Sequence, residues 1–134
     1  MGKKRTEKIV FENVKILDAG AKGVSVAKAP DGKGIFLPNV VPGDVVDVQT
    51  MKKRKAYYEG KAIKIHEFSE HRIDPVCEHF GACGGCKWQN MKYSQQLFYK
   101  NQDVYNNLKR IGKIELPEFE PILGSEKQLF YRNK

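Results

Sequence analysis

The chain of 134 residues has room for one ordinary domain or two small ones, and 24 lysines and arginines against 16 acidic residues leave a formal net charge of +8. No apolar run approaches the roughly 20 residues needed to cross a bilayer, and Lys3-Lys4-Arg5 leads into no apolar signal core, which argues against a membrane or secreted protein and for a cytoplasmic one. The positive excess makes a polyanionic partner the first expectation.

From about Ile9 to Ile65 the sequence reads as short strands separated by turns. Ile9-Val10-Phe11, Val14-Lys15-Ile16-Leu17, Val24-Ser25-Val26, Gly34-Ile35-Phe36-Leu37 and Val45-Val46-Asp47-Val48 are the apolar or alternating pieces. Between them, Gly20-Ala21-Lys22-Gly23, Pro30-Asp31-Gly32-Lys33-Gly34 and Pro42-Gly43-Asp44 carry the glycine and proline chemistry of tight turns. Short strands at this spacing predict a small OB-like β-barrel over residues 5–66, because closing a sheet removes the edges that would otherwise invite aggregation.

One stretch of the barrel stands out as a surface for nucleic acid. Lys52-Lys53-Arg54-Lys55-Ala56-Tyr57-Tyr58, with Lys61 close behind, places phosphate-seeking cations beside rings on which unpaired bases could stack. Lys22 in the first turn and Phe36 on the middle strand are secondary candidates. A solvated hairpin loop is the plainer reading of the charge run. Neighbours on a strand face opposite sides, so one of Tyr57 and Tyr58 is expected to pack into the barrel.

Residues 67–92 change character, with His71, His79 and Pro75 around Cys77, Cys83 and Cys86. In a reducing compartment an odd count of clustered cysteines fits a metal site better than a disulfide framework, and no disulfide-linked partner is expected. Gaps of five and two residues let three thiolates converge if the backbone turns tightly, which Gly81, Gly84 and Gly85 permit. Three ligands are one short of the set that iron–sulfur cubanes and structural zinc usually take. The fourth is either a histidine, His71 or His79, around zinc, or a cysteine beyond the chain around a cluster, and spacing leaves both open.

In residues 93–134 Ser94 is the expected N-cap of a helix running to Ile111, with Gly112 as the stop. Leu97, Val104, Tyr105, Leu108 and Ile111 fall on one face, which reads as a packing face for a further domain. Trp88 is expected to cover the metal from water. Pro117 and Pro121 mark an irregular segment, and Phe130-Tyr131-Arg132-Asn133-Lys134 reads as the first half of a strand.

The run Cys77-Glu78-His79-Phe80-Gly81-Ala82-Cys83-Gly84-Gly85-Cys86, followed by Trp88-Gln89, Tyr93 and Gln96, resembles the cluster-binding segment of the 23S rRNA (uracil-5-)-methyltransferase family. The preceding segment, with Gly20, Gly23, Gly34-Ile35-Phe36-Leu37 and Pro42-Gly43-Asp44, is similar to the TRAM domain of that family, and Tyr131-Arg132-Asn133-Lys134 looks like the start of its next domain. The resemblance runs from about Lys8 onward. It implies a mainly β chain: a TRAM barrel, an iron–sulfur segment, then a helix and the beginning of an incomplete α/β domain.

The resemblance also implies a 4Fe-4S cluster on Cys77, Cys83 and Cys86 with a fourth cysteine beyond the chain, and 23S rRNA as the RNA bound. The full-length parent would bind S-adenosylmethionine and methylate uracil at C5. No catalytic or S-adenosylmethionine-binding residue of the family has a counterpart here, so the chain alone is expected to be inactive; it is also expected to be monomeric. The competing reading is an autonomous zinc-stabilised RNA-binding module with no enzymatic parent.

Overall fold

The computed structural model describes residues 8–131, and its first strand is longer than either apolar piece that predicted it. Two expected strands are one, β1 (Val10–Ala19), continued through Asn13. Asn13 adopts a positive φ of 51°, and the pairing of β1 shifts register between Phe11 and Val14, so the polar Glu12-Asn13 pair forms a bulge rather than a break. The Asn13 N–H donates to Asp47 Oδ1 at 3.0 Å, which ties the bulge to the neighbouring strand.

The other strands are β2 (Ser25–Lys28), β3 (Gly34–Leu37), β4 (Val45–Lys53) and β5 (Tyr57–Glu67). They close in the order β1-β2-β3-β5-β4, with every pairing antiparallel except that between β3 and β5. This is the small OB-like barrel that the strand spacing predicts. Alternation makes the core: Val46, Val48 and Thr50 of β4 point inward while Asp47 and Gln49 point out, and Ile16, Ile35 and Leu37 are fully buried with them. From Tyr57-Tyr58, β5 runs on to Glu67 with Ala62 and Ile65 packed against the core, paired with β3 as far as Glu59 and with β4 along its length.

The turn Pro42-Gly43-Asp44 anchors the segment after the barrel. Asp44 is 0% exposed and its carboxylate accepts from the Val41 N–H at 2.9 Å, the Ser69 N–H at 2.8 Å and the Arg72 guanidinium at 2.5 and 3.3 Å. Ser69 Oγ donates to Pro42 O at 2.6 Å. A buried carboxylate is tolerable only when its oxygens are satisfied in this way. Arg72 pairs with Met91, and Ile73 N–H and Lys92 N–H bond the carbonyls of Asn90 and His71 at 2.9 Å each. Both ends of the cysteine segment are therefore joined, and Asp44 fastens them to the barrel.

The chain divides into two compact units, Met1–Lys92 and Tyr93–Lys134. In the second, helix α1 (Tyr93–Asn106) begins one residue before the expected cap, so Ser94 lies in its first turn, and a π-type turn, Asn107–Ile111, ends it. Gly112 comes next as expected but with a right-handed φ of −69°. A Cβ there would lie 2.6 Å from Leu108 O, so glycine is needed for space rather than for a left-handed cap. Val104, Leu108 and Ile111 are exposed, Tyr105 meets Phe119 edge-on at 5.1 Å, and the buried side chain of the helix is Tyr99. The expected strand start at Arg132-Asn133-Lys134 lies outside the described residues.

Candidate nucleic-acid interface and cysteine loop

The basic run folds as the end of β4 and the turn into β5. Lys52, Lys53, Arg54 and Lys55 are all exposed, and the turn closes through the Arg54 N–H on Tyr57 O at 2.8 Å. Arg54 Nη2 lies 3.9 Å from Glu59 Oε2, a long and solvated pair that binds the guanidinium weakly. Lys61 is exposed further along β5.

Phe36 faces outward because Ile35 and Leu37 on either side of it face in, and it keeps 37% exposure. The parallel pairing of β3 with β5 sets Gly34 opposite Tyr57, and the Tyr57 ring meets Phe36 edge-on at 5.1 Å and 84°. Two outward aromatic rings thus lie beside the basic turn. Lys22, in the β1–β2 turn, is exposed with a φ of 62°. In OB barrels the face of the second and third strands and the turns at β1–β2 and β4–β5 form the surface that takes oligonucleotides.

Tyr58 is removed from that surface. It is 3% exposed, its ring packs edge-on to Phe11 at 5.2 Å, and its hydroxyl donates to Asp31 Oδ2 at 2.6 Å. Of the two adjacent tyrosines, Tyr58 is the one in the core, as strand alternation requires of one of them. That bond, first, and the Lys33 N–H, second, hold the Asp31 carboxyl below its ordinary value, with the charges of Lys33 and Lys53 adding to the effect. Lys33, whose ammonium lies over the Tyr58 ring at 5.4 Å, is a further cation at this end of the barrel that local sequence does not mark. Its place in a proline-initiated turn gives no sign that the turn meets the β4–β5 turn.

The cysteine loop is built of tight turns. Phe80 N–H bonds Cys77 O at 3.1 Å, Cys83 N–H bonds His79 O at 2.8 Å, and the Cys77 N–H donates to Gln89 Oε1 at 2.7 Å across the mouth of the loop. Gly81 has a φ of 93°, and a Cβ on Gly85 would lie 3.5 Å from Cys83 Sγ. Trp88 is half-buried beside the loop. Cys77, Cys83 and Cys86 are exposed free thiols, and among the described residues no group of three or more His, Cys, Asp or Glu is placed to hold a metal ion. The donor set nonetheless fits a soft metal in kind: three accessible thiols, with open space around Gly84 through which the loop can tighten. His71 and His79 face their neighbouring glutamates, Glu70 at 3.4 Å and Glu78 at 3.6 Å.

No protein-family model matches the chain. It is 57% identical over 114 residues to an uncharacterized RNA methyltransferase of Bacteroides thetaiotaomicron, covering 85% of this chain and 25% of that protein. It is 42% identical over 121 residues to an uncharacterized RNA methyltransferase of Porphyromonas gingivalis, covering 90% of this chain and 26% of that protein. A third, from Chlorobaculum tepidum, is 40% identical over 120 residues, with 89% and 25% covered. The chain spans about a quarter of the length of these curated relatives.

Proposed function

The chain belongs, over the segment it spans, with these RNA methyltransferases, and on that premise we propose that it is the RNA-gripping and iron–sulfur portion of an S-adenosylmethionine-dependent 23S rRNA (uracil-5-)-methyltransferase. Methyl transfer to the uracil C5 would be carried out by parts of the protein outside these residues, and this portion alone would not catalyse it. Chemistry on a base within folded RNA requires a hold on the strand away from the reacting atom. The observation that carries the reading is the pairing of the exposed turn Lys52-Lys53-Arg54-Lys55 with the outward rings of Tyr57 and Phe36 on an OB-like face.

Replacing Lys52, Lys53, Arg54 and Lys55 together by alanine tests it. Every phosphate left without its cation should lower the log-log salt slope of binding to ribosomal RNA by roughly 0.7 to 0.9. An unchanged slope refutes the assignment.

Cys77, Cys83 and Cys86 would hold a 4Fe-4S cluster, with the fourth ligand from outside the chain. The thiol chemistry, the accessible loop and its glycines support this reading. Iron and acid-labile sulfide after anaerobic reconstitution, lost in Cys83→Ser, is the expected result. Air-stable zinc that disappears in His79→Ala would replace the cluster with a self-contained zinc site.

A further inference from the structure

The β1–β2 turn of the barrel and the end of the cysteine loop meet at one glycine. Gly23 has a φ of 70°, and a Cβ built on it would lie 2.8 Å from Lys87 Cγ and 3.6 Å from Lys87 Cδ, with Lys87 Cβ nearer still. The aliphatic stem of Lys87 therefore lies flat on the bare Cα of Gly23, a seat that any side chain at 23 would fill. Lys22, the preceding residue, also has a left-handed backbone, with a φ of 62°. Lys22 is exposed in this turn, one residue from the place where Lys87 arrives.

Lys87 directly follows Cys86 and precedes the half-buried Trp88, and its stem rests on the barrel at Gly23. Packing the stem while the ammonium stays in water removes much of the freedom that a surface lysine otherwise loses on gripping a ligand. Among the described residues neither Lys22 nor Lys87 is in an ion pair, so none of those residues neutralises either charge.

We propose that Lys22 and Lys87 form a composite phosphate-binding site, half from the barrel and half from the cysteine segment, through which one RNA strand contacts both. The inference rests on the RNA-binding reading above and extends it to a residue outside the barrel. β2 and β3 are four residues each, about 13 Å at the usual rise per residue. The β1–β2 turn lies at the Ser25–Leu37 end of these strands, and the β4–β5 turn at the Gly34–Tyr57 end. A strand of RNA laid over the face would meet Lys52–Lys55 at one end and the lysine pair at the other, with Phe36 and Tyr57 between.

The test is fluorescence anisotropy of the whole chain with a single-stranded ribo-oligonucleotide over a series of potassium chloride concentrations. The variants are Lys22→Ala, Lys87→Met and Lys87→Ala, with the fourfold Lys52/Lys53/Arg54/Lys55 alanine variant as reference, each checked for an unchanged melting temperature. Lys87→Met keeps the stem on Gly23 and removes only the charge. Lys22→Ala and Lys87→Met should each lower the log-log slope by about 0.7. If Lys87→Met binds like the wild type while the fourfold variant loses slope, the composite site is wrong and the RNA reading stands. If the fourfold variant is also unchanged, the RNA reading itself falls.

Discussion

The hydroxyl of Tyr58 donates to Asp31 Oδ2 at 2.6 Å, joining the start of β5 to the β2–β3 turn at the point where the barrel closes in parallel. The bond raises the tyrosine above its ordinary 10.0 and lowers the aspartate below its ordinary 3.8, in each case as the first cause. The aspartate's share of the stability is complete above 3.8 and is lost as pH falls through its lowered value. The tyrosine's share is complete below 10.0 and is lost as pH rises through its raised value. Tyr58→Phe should melt lower than the wild type across the neutral range, with the gap narrowing at both extremes. A gap independent of pH, followed by circular dichroism, would mean that the ionisation of this pair is not coupled to folding.

Asp44 and Arg72 give an asymmetric prediction. Arg72 retains 18% side-chain exposure but Asp44 none, so Arg72→Met strands a buried carboxylate and should destabilise the first unit by about 3–5 kcal/mol in urea titration. Hydrogen exchange should rise in step at Ser69, Arg72 and Ile73, whose N–H groups are bonded at this junction. Rapid exchange confined to the barrel strands would contradict the anchoring role.

Gly43 and Gly32 both have left-handed backbones, with φ of 102° and 87°, but differ in surroundings. A Cβ on Gly43 would lie 2.7 Å from Ser69 Oγ, whereas nothing lies within 4 Å of one on Gly32. Gly32→Ala should show backbone strain alone, about 1 kcal/mol. Gly43→Ala should cost clearly more and should loosen the Ser69 junction as Arg72→Met does. Equal losses in the two variants would show that the close approach is unimportant.

Phe36→Ala and Tyr57→Ala test the outward rings. Each ring on which a base stacks should lose roughly 1–3 kcal/mol of affinity for single-stranded RNA, while the core residues Ile35 and Leu37 stay in place and the fold survives. If thermal stability falls as far as it does in Tyr58→Phe, the pair is a structural clasp between β3 and β5 instead of a stacking platform.

Much of this architecture is legible in local sequence, because local chemistry decides it. Gly34-Ile35-Phe36-Leu37 is β3 residue for residue, and Pro42-Gly43-Asp44 is the turn that its residues announce. Strand alternation requires one of Tyr57 and Tyr58 to be inside, but only the register of β5 against β3 decides that it is Tyr58. The break expected at Glu12-Asn13 is a bulge, because pairing with β4 on either side of it carries the strand through while Asn13 takes a left-handed backbone. Asp44 reaches Arg72 across 28 positions, and Lys87 reaches Gly23 from still further along the chain. Neither approach has any local signature, so the fastening of the cysteine segment is not readable from the sequence.

The strand order has a kinetic consequence. β1, β2 and β3 are consecutive neighbours, and β4 and β5 are joined by a tight turn, so each set can form locally, but closing the barrel requires β4 to pair with β1 and β5 with β3. Closure therefore depends on pairing between distant parts of the chain, which forms slowly because the loops between them must be closed first. Asp44 lies just ahead of β4, so the support of the segment bearing the thiols adjoins a strand whose pairing with β1 helps close the barrel. In a growing chain the cysteines would be made after every barrel strand, so the support to which they are fastened could be in place by the time they emerge.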